Sequence, residues 1–101
     1  MNKAKLDSAL GFAMKAGKVR SGELAAQKAL KAGRAFVAVL DENASEQTKK
    51  HWSDMCNNAE VPLVFTEGVG RAIGREAHMI ACITDSGFAQ MILRSINENE
   101  S

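Results

Sequence analysis

Two short and almost continuously apolar segments constrain the fold of this chain most. They run from Ala35 to Leu40 and from Met79 to Ile83, and neither shows the alternation of apolar and polar residues that marks a strand with one wet face. Runs of this kind are typical of strands covered on both faces. The sequence therefore predicts a sheet with helices packed against each side.

Helical periodicity occupies most of the chain around these segments. The first helix ends at Gly17, the second runs from about Glu23 to Ala32, the third follows the capping residue Ser45, and the last begins near Asp85. Short extended pieces at 18–21 and 63–65, and one or two helical turns within the glycine-rich stretch 68–74, complete the predicted elements.

This alternation predicts the fold class α/β, as a three-layer α/β/α sandwich with a small mixed four-stranded sheet between helices. The 101 residues are enough for one such domain and too few for two. Residues 1–101 are therefore expected to form a single domain, with a frayed tail at 97–101.

Basic and acidic residues are distributed unevenly, although the net charge is only +1. The first 34 residues hold eight basic and two acidic residues, a net +6, whereas the remainder holds five basic and ten acidic residues, a net −5. Such asymmetry in a small domain favours a basic face that binds a polyanion. Charge runs are equally common on solvated helix faces, so charge alone leaves both interpretations open.

The sequence contains no motif typical of an enzyme, a metal site or a cofactor site. Residues 68–74 follow the pattern G-x-G-x-x-x-G, which is one residue too long for a dinucleotide fingerprint and lacks the lysine of a P-loop. His51, Cys56, His78 and Cys82 offer no zinc-ligand spacing. We therefore expect no enzyme activity, no metal and no cofactor, with both cysteines as core thiols and both histidines at the surface.

Two widely spaced cysteines and the lack of a long apolar stretch indicate a cytoplasmic protein without a membrane segment. The five aromatic residues are all expected in the core: Phe12, Phe36, Trp52, Phe65 and Phe88. None would then remain to stack on bases. Any RNA would have to be bound by helix termini, backbone amides and basic side chains.

The stretch Gly17-Lys18-Val19-Arg20-Ser21-Gly22, followed by a helix carrying Lys28, resembles the RNA-binding segment of the ribosomal L7Ae/L30e superfamily, the kink-turn RNA binders. Four further segments resemble the bacterial YlxQ-type branch of that superfamily: residues 41–50, the Val-Pro at 61–62, residues 70–76 and residues 84–89. Their order and spacing extend the resemblance from about Ala4 to Leu93.

The resemblance implies that the sandwich binds structured RNA at one end, through the start of the second helix and a facing loop. It implies a monomer that binds kink-turn-like or ribosomal RNA, or the ribosome, as part of a ribonucleoprotein in translation. The residues implied at this site are Lys18, Arg20, Ser21, Gly22, Glu23, Leu24, Gln27, Lys28, Lys31, Arg75, Glu76, Ala77 and His78. The chemistry of the backbone agrees with RNA binding at the start of the second helix, because the unpaired amides at a helix start attract phosphate.

Two positions differ from the pattern of the family. Kink-turn binders typically place a polar pair such as Asn-Glu two and three positions after the glycine, where the pair reads guanine edges, but this chain has Leu24 and Ala25. Glu23 and Gln27 flank them. The leading hypothesis is therefore RNA binding by shape and phosphate contacts. The alternative is a protein-interaction module on the same fold, in which Leu24 contacts a protein.

Overall fold

The computed structural model describes residues 1–98 of the chain. Their helices and strands, in chain order, are α1 (Lys3–Lys15), β1 (Val19–Ser21), α2 (Glu23–Lys31), β2 (Val37–Asp41), α3 (Glu46–Ala59), β3 (Leu63–Thr66), α4 (Val69–Ile73), β4 (Ile80–Ile83) and α5 (Ser86–Asn97). The helix α5 extends to Asn97, where fraying was expected to begin, and Glu98 pairs with Lys5 at 2.7 Å. Residues 99–101 of the predicted frayed tail lie outside the described residues.

The four strands form one sheet in the order β1-β4-β2-β3. The strand β2 is parallel to β3 and antiparallel to β4, and β4 is antiparallel to β1. Val39 in the middle of β2 lies opposite Val64 of β3 and Ala81 of β4. The prediction of a mixed four-stranded sheet is confirmed.

Each face of the sheet carries its own apolar cluster. Val37 and Val39 of β2 pack with residues of α1, α4 and α5, whereas Ala38 and Leu40 pack with residues of α2 and α3. Because successive side chains of a strand point to opposite faces, a strand covered on both sides is apolar throughout. Every residue of β2 and β4 is accordingly buried, and the predicted three-layer sandwich is confirmed.

The direction of the strands determines which loops meet. The strands β1, β2 and β3 run in one direction and β4 runs in the other. Ser21, Asp41 and Thr66, the last residues of the first three strands, therefore lie at the same end of the sheet, and α2, α3 and α4 all begin there. We call this the carboxyl end of the sheet.

Two aromatic side chains that were expected in the core are exposed. Phe12 is 54% exposed and Phe36 is 49% exposed. Phe12 lies off the buried stripe of α1, which consists of Leu6, Ala9, Leu10 and Ala13. Phe36 precedes the first paired residue of β2. The prediction that every aromatic residue lies in the core is therefore wrong for these two, whereas Trp52 is fully buried.

Candidate nucleic-acid interface

The helix α2 begins at the carboxyl end of the sheet with a glycine that no other residue replaces easily. Gly22 has φ 85° and ψ 156°, in the left-handed half of the backbone map that favours glycine. A Cβ at this position would lie 3.3 Å from the imidazole ring of His78. The amide of Gly22 donates to the Ile80 carbonyl at 2.9 Å, which anchors the start of α2 to β4.

No side chain caps the start of α2 at Gly22. The first amides of a helix have no partner within the helix, and together they carry a partial positive charge. This helix start is therefore a place where an anionic or hydrogen-bond-accepting ligand can reach backbone donors.

His78 connects the start of α2 to the loop that follows α4. Its Nδ1 lies 2.7 Å from the Oγ of Ser21, and the imidazole is partly buried. Arg75, Glu76 and Ala77 precede it in the same loop and are exposed. The structure thus brings together the two parts of the predicted site, the end of β1 and the facing loop at 75–78.

The facing loop is held by a close backbone approach at Gly70 of α4. A Cβ on Gly70 would lie 2.5 Å from the carbonyl oxygen of Arg75, 2.8 Å from that of Glu76 and 2.7 Å from that of His78. The amide of Arg75 also donates to the Gly70 carbonyl at 2.8 Å. Only glycine fits here, so Gly70 is required for the backbone of α4 to approach the facing loop this closely.

Asp41, the last residue of β2, fixes the start of α4 and was missed in the sequence. Its side chain is buried, and Oδ2 accepts from the amides of Gly68 at 3.0 Å and Val69 at 3.1 Å. Its Oδ1 accepts from the amide of Asn43 at 2.9 Å. The carboxylate thereby positions α4, and through Gly70 it positions the facing loop. An acidic residue directly after a buried strand is a signal that could have revealed it.

Glu23, predicted as an RNA contact, is engaged within the protein. The indole Nε1 of Trp52 in α3 donates to both carboxylate oxygens of Glu23, at 3.1 and 3.2 Å. This contact satisfies the N–H of a fully buried indole and ties the first turn of α2 to α3. Glu23 is therefore a structural residue of the site, and no pattern in the sequence indicates that it pairs with Trp52.

Leu24 is the most prominent apolar side chain at this end of the molecule. It is 77% exposed, the largest fraction among the exposed large hydrophobic residues of the described chain. Ala25 and Gln27, on the same turn and the next, are partly buried. Leu24 and Ala25, the two positions that differ from the pattern of the resembled family, therefore present an apolar surface.

The predicted cations lie along a flank and do not converge on the start of α2. Lys28 and Lys31 belong to the last turn of α2. Lys18 precedes β1 at the opposite end of the sheet, where its carbonyl accepts from the Thr84 amide at 2.9 Å. The expectation that Lys18 lies at the same end as the start of α2 is therefore wrong, because β1 runs from Lys18 toward the carboxyl end and separates the two. Arg20 lies between, with its Nη1 donating to the carbonyls of Gly17 and Val19 at 3.2 and 3.0 Å.

The two cysteines are buried, as the sequence predicted. Burial raises the pKa of the Cys56 thiol to about 11, and burial together with the neighbouring Cys56 raises the pKa of Cys82 to about 12. Both remain protonated thiols near neutral pH, which suits core residues.

Residues 1–98 contain no group of three His, Cys, Asp or Glu side chains that could hold a metal ion. None of the helices described is long and apolar enough to cross a membrane.

The fold and the site define a class of protein. It is a small α/β/α domain in which a helix without a side-chain cap starts at a glycine and faces a loop at one end of the sheet. The model of the ribosomal protein L7Ae/L30e/S12e/Gadd45 family matches residues 4–93. The chain belongs to this family, as the sequence motifs indicated.

Two curated relatives carry the same name. The RNA-binding protein YlxQ of Bacillus subtilis (strain 168) is 40% identical, over 83% of this chain and 87% of its own length. The RNA-binding protein YlxQ of Enterococcus faecium is 33% identical, over 88% of each chain. The likeness to the YlxQ-type branch is thereby confirmed. Both relatives are named as binding proteins, which agrees with the prediction that this chain is not an enzyme.

Solved structures share the fold over almost the whole chain. A protein of unknown function from Bacillus halodurans superposes with a TM-score of 0.88 at 31% identity, covering 94% of this chain and 99% of its own. The 15.5kD RNA binding protein of Giardia lamblia superposes with a TM-score of 0.76, covering 94% and 84%. At 17% identity the second likeness shows the fold alone.

Proposed function

We propose that this chain is an RNA-binding protein that holds structured RNA at the start of α2 and against the loop at 75–78. The observation that carries the proposal is the junction of Gly22 with His78, which places an uncapped helix start beside an exposed loop. Membership of the L7Ae family and the naming of two relatives as RNA-binding proteins support it. We further propose that the protein binds as a monomer, with ribosomal or kink-turn-like RNA as its target.

The chemistry of this binding follows from the groups at the junction. The first amides of α2 donate to a phosphate oxygen or a base edge, and Gly22 allows that group to approach because it has no side chain. The exposed residues Arg75, Glu76 and Ala77 meet an unstacked nucleotide from the other side. Lys28 and Lys31 add phosphate contacts along α2.

Recognition by shape and charge, without reading of base edges, follows from Leu24 and Ala25. Neither side chain can donate or accept a hydrogen bond. A pair of base-edge contacts contributes about 1–3 kcal/mol of discrimination. We therefore expect a kink-turn hairpin and an unkinked hairpin of the same length to differ in affinity through shape alone, without the further discrimination of about tenfold that base-edge contacts would add.

The test measures binding of these two fluorescently labelled hairpins by anisotropy at several salt concentrations. Replacing Gly22 by alanine strains the backbone at φ 85° and presses a methyl group against His78. We expect Gly22→Ala to weaken binding of both hairpins by about tenfold or more, an energy typical of strain at a functional site. Gly17→Ala is the matched control, because Gly17 has φ 72° at the opposite end of the sheet and nothing within 4 Å of an added Cβ.

Two results would contradict the proposal. One is the absence of detectable binding of both hairpins by the unmodified protein at low salt, where phosphate contacts are strongest. The other is an equal loss of affinity in Gly22→Ala and Gly17→Ala, since the effect would then reflect backbone strain anywhere in the chain.

The exposure of Leu24 favours a second candidate function, a protein-interaction module on the same fold. An apolar side chain that is 77% exposed beside an uncapped helix start suits a protein contact as well as a nucleotide. Affinity capture before and after nuclease treatment separates the two functions. Partners that survive nuclease and are lost in Leu24→Gln would favour protein binding, whereas loss of all partners after nuclease would favour RNA.

A further inference from the structure

A shallow groove of about 380 Å³ runs between β1 and α2 on the flank of the molecule. Three alanines, Ala25, Ala29 and Ala32, form its apolar floor, and the cations Arg20, Lys28 and Arg34 line it. We call it the β1–α2 groove. Arg34 is not among the residues that the proposed function uses.

The cations of the groove have no acidic partner in residues 1–98. Ion pairs in this part of the chain join Lys3 to Asp7, Lys5 to Glu98, Lys49 to Glu46 and Lys50 to Asp54. None of them includes Arg20, Lys28 or Arg34. The lysines of α3 are thus neutralised by their own helix, whereas the groove keeps an uncompensated positive charge that attracts a polyanion.

The length of the groove suits a stretch of nucleic-acid backbone. The nine residues of α2 extend for about 13 Å at 1.5 Å per residue. Phosphates of one strand of duplex DNA advance about 3.4 Å each along the helix axis and those of duplex RNA somewhat less, so about four or five of them span that distance. Arg20 precedes α2, Lys28 lies in its last turn and Arg34 follows it, so the cations are distributed along the whole length.

We propose that the β1–α2 groove binds the phosphate backbone of an RNA stem that continues from the start of α2. This inference rests on the proposed function and adds Arg34 and a second region of RNA to it. The groove is continuous with the first site, because Ala25 lies in the first turn of α2 and β1 ends at Ser21. Small alanine side chains let a bulky backbone approach the cations without obstruction.

An acidic peptide would fit the groove less well than an RNA stem. Peptides bound at interfaces are anchored mainly by large side chains in apolar pockets. The lining of this groove contains no side chain apart from alanine and the three cations, so it offers a peptide charge and no anchoring pocket.

The test compares two hairpins with the same loop region, one with a stem of about two base pairs held closed by a covalent crosslink and one with a stem of about 15, so that only the longer stem spans the nine residues of α2. Salt dependence of binding is measured for the unmodified protein, Arg34→Ala, Arg34→Lys and the control Arg94→Ala. Arg94 lies on α5 in a different groove, between α1 and α5, and its removal changes the net charge equally.

We expect Arg34→Ala to lower the slope of log affinity against log salt by about 0.9 for the long stem and to leave the short stem unchanged. Arg34→Lys keeps the charge and should keep the slope. Arg94→Ala should leave both slopes unchanged. Far-UV circular dichroism confirms that each variant is folded, which is expected because Arg34 is exposed.

Three outcomes would overturn the inference. Equal slopes for Arg34→Ala and Arg94→Ala on the long stem, with the unmodified protein still binding both hairpins, would remove the groove from RNA binding and leave the proposed function intact. Failure of the unmodified protein to bind either hairpin would remove the proposed function as well. Tighter binding of polyglutamate than of the long stem, lost in Arg34→Ala, would assign the groove to an acidic peptide.

Discussion

Two helices on opposite faces of the sheet, α2 and α4, both start at its carboxyl end, and their first turns differ in one respect. Both α2 and α4 follow a glycine with positive φ, 85° at Gly22 and 75° at Gly68. The start of α4 is occupied from within, because the carboxylate of Asp41 accepts from the Gly68 and Val69 amides. The start of α2 has no side-chain cap.

The difference separates a structural helix start from one that is open to a ligand. A helix start carries positive partial charge and favours an anion. Asp41 supplies that anion to α4, whereas the carboxylate in the first turn of α2, that of Glu23, is hydrogen-bonded to Trp52. The loop that carries His78 contacts Gly22 at the open start of α2, and α4 positions that loop through Gly70.

Removing the cap of α4 should produce the largest effect on stability. Asp41→Ala leaves the amides of Gly68 and Val69 without a partner at a buried site, and we expect a loss of about 2–4 kcal/mol in the free energy of unfolding. Urea denaturation followed by circular dichroism measures it. Asp41→Asn keeps one acceptor oxygen and should lose less. A loss below about 1 kcal/mol for Asp41→Ala would show that Asp41 is not required to fix α4.

Crowding the contact between α4 and its loop should produce the next largest effect. Gly70→Ala places a methyl carbon 2.5 Å from the Arg75 carbonyl oxygen, and we expect a loss of about 1–3 kcal/mol in the same measurement. Gly11→Ala is the control, since its Cβ would be 3.5 Å from the Ala72 carbonyl oxygen within a helix. Gly11→Ala should be neutral or slightly stabilising. If both variants are equally stable, the close approach at Gly70 does not constrain the loop.

Breaking the contact between His78 and the end of β1 should lower the free energy of unfolding by less than either of these two substitutions. Ser21→Ala removes the hydrogen bond to the imidazole, and we expect a loss of about 1 kcal/mol in the free energy of unfolding together with weaker RNA binding. Ser8→Ala on the exposed face of α1 is the control, which should leave RNA binding unchanged and be neutral or slightly stabilising. An unchanged affinity for RNA in Ser21→Ala would show that the loop needs no tie to β1.

A carboxylate introduced at the open start of α2 should have the smallest effect on stability. Unlike the three preceding substitutions, it should stabilise the fold. Leu24→Glu places a carboxylate in the first turn, which we expect to stabilise the fold by about 0.3–1 kcal/mol through the helix dipole and to weaken RNA binding by repelling phosphate. Gln27→Glu adds the same charge one turn later and should weaken RNA binding less. If Leu24→Glu leaves affinity for RNA unchanged, the start of α2 does not contact phosphate.

The sequence was sufficient to predict the layers of the fold and insufficient to predict the contacts that assemble the site. Apolar runs at 35–40 and 79–83 identify buried strands because both faces of a covered strand need apolar residues. The pairing of Asp41 with Gly68 and that of Glu23 with Trp52 join residues more than 25 positions apart, and local periodicity holds no information on such pairs. The exposure of Phe12 and Phe36 does not follow from the sequence, because an apolar residue in a predicted helix or strand does not always lie on the buried face of that element.

The residues of the predicted site also differ in how far the sequence could place them. Ser21, Gly22 and His78 do come together, a prediction that depended on the family resemblance. The placement of Lys18 was wrong because the direction of β1 relative to the other strands decides it. The proximity of Arg34 to Arg20 depends on the packing of α2 beside β1, which no local sequence pattern indicates.

The outer strands of the sheet have a consequence for the behaviour of the protein at high concentration. Unpaired strand edges recruit further strands and so promote aggregation, and proteins counter this with short edge strands, charges and prolines. The strand β1 has only three residues, and the guanidinium of Arg20 occupies the Val19 carbonyl. At the other edge Pro62 directly precedes β3. Both edge strands are thus short and offer few groups for strand addition, so we expect the protein to stay dispersed at the concentrations that structural work requires.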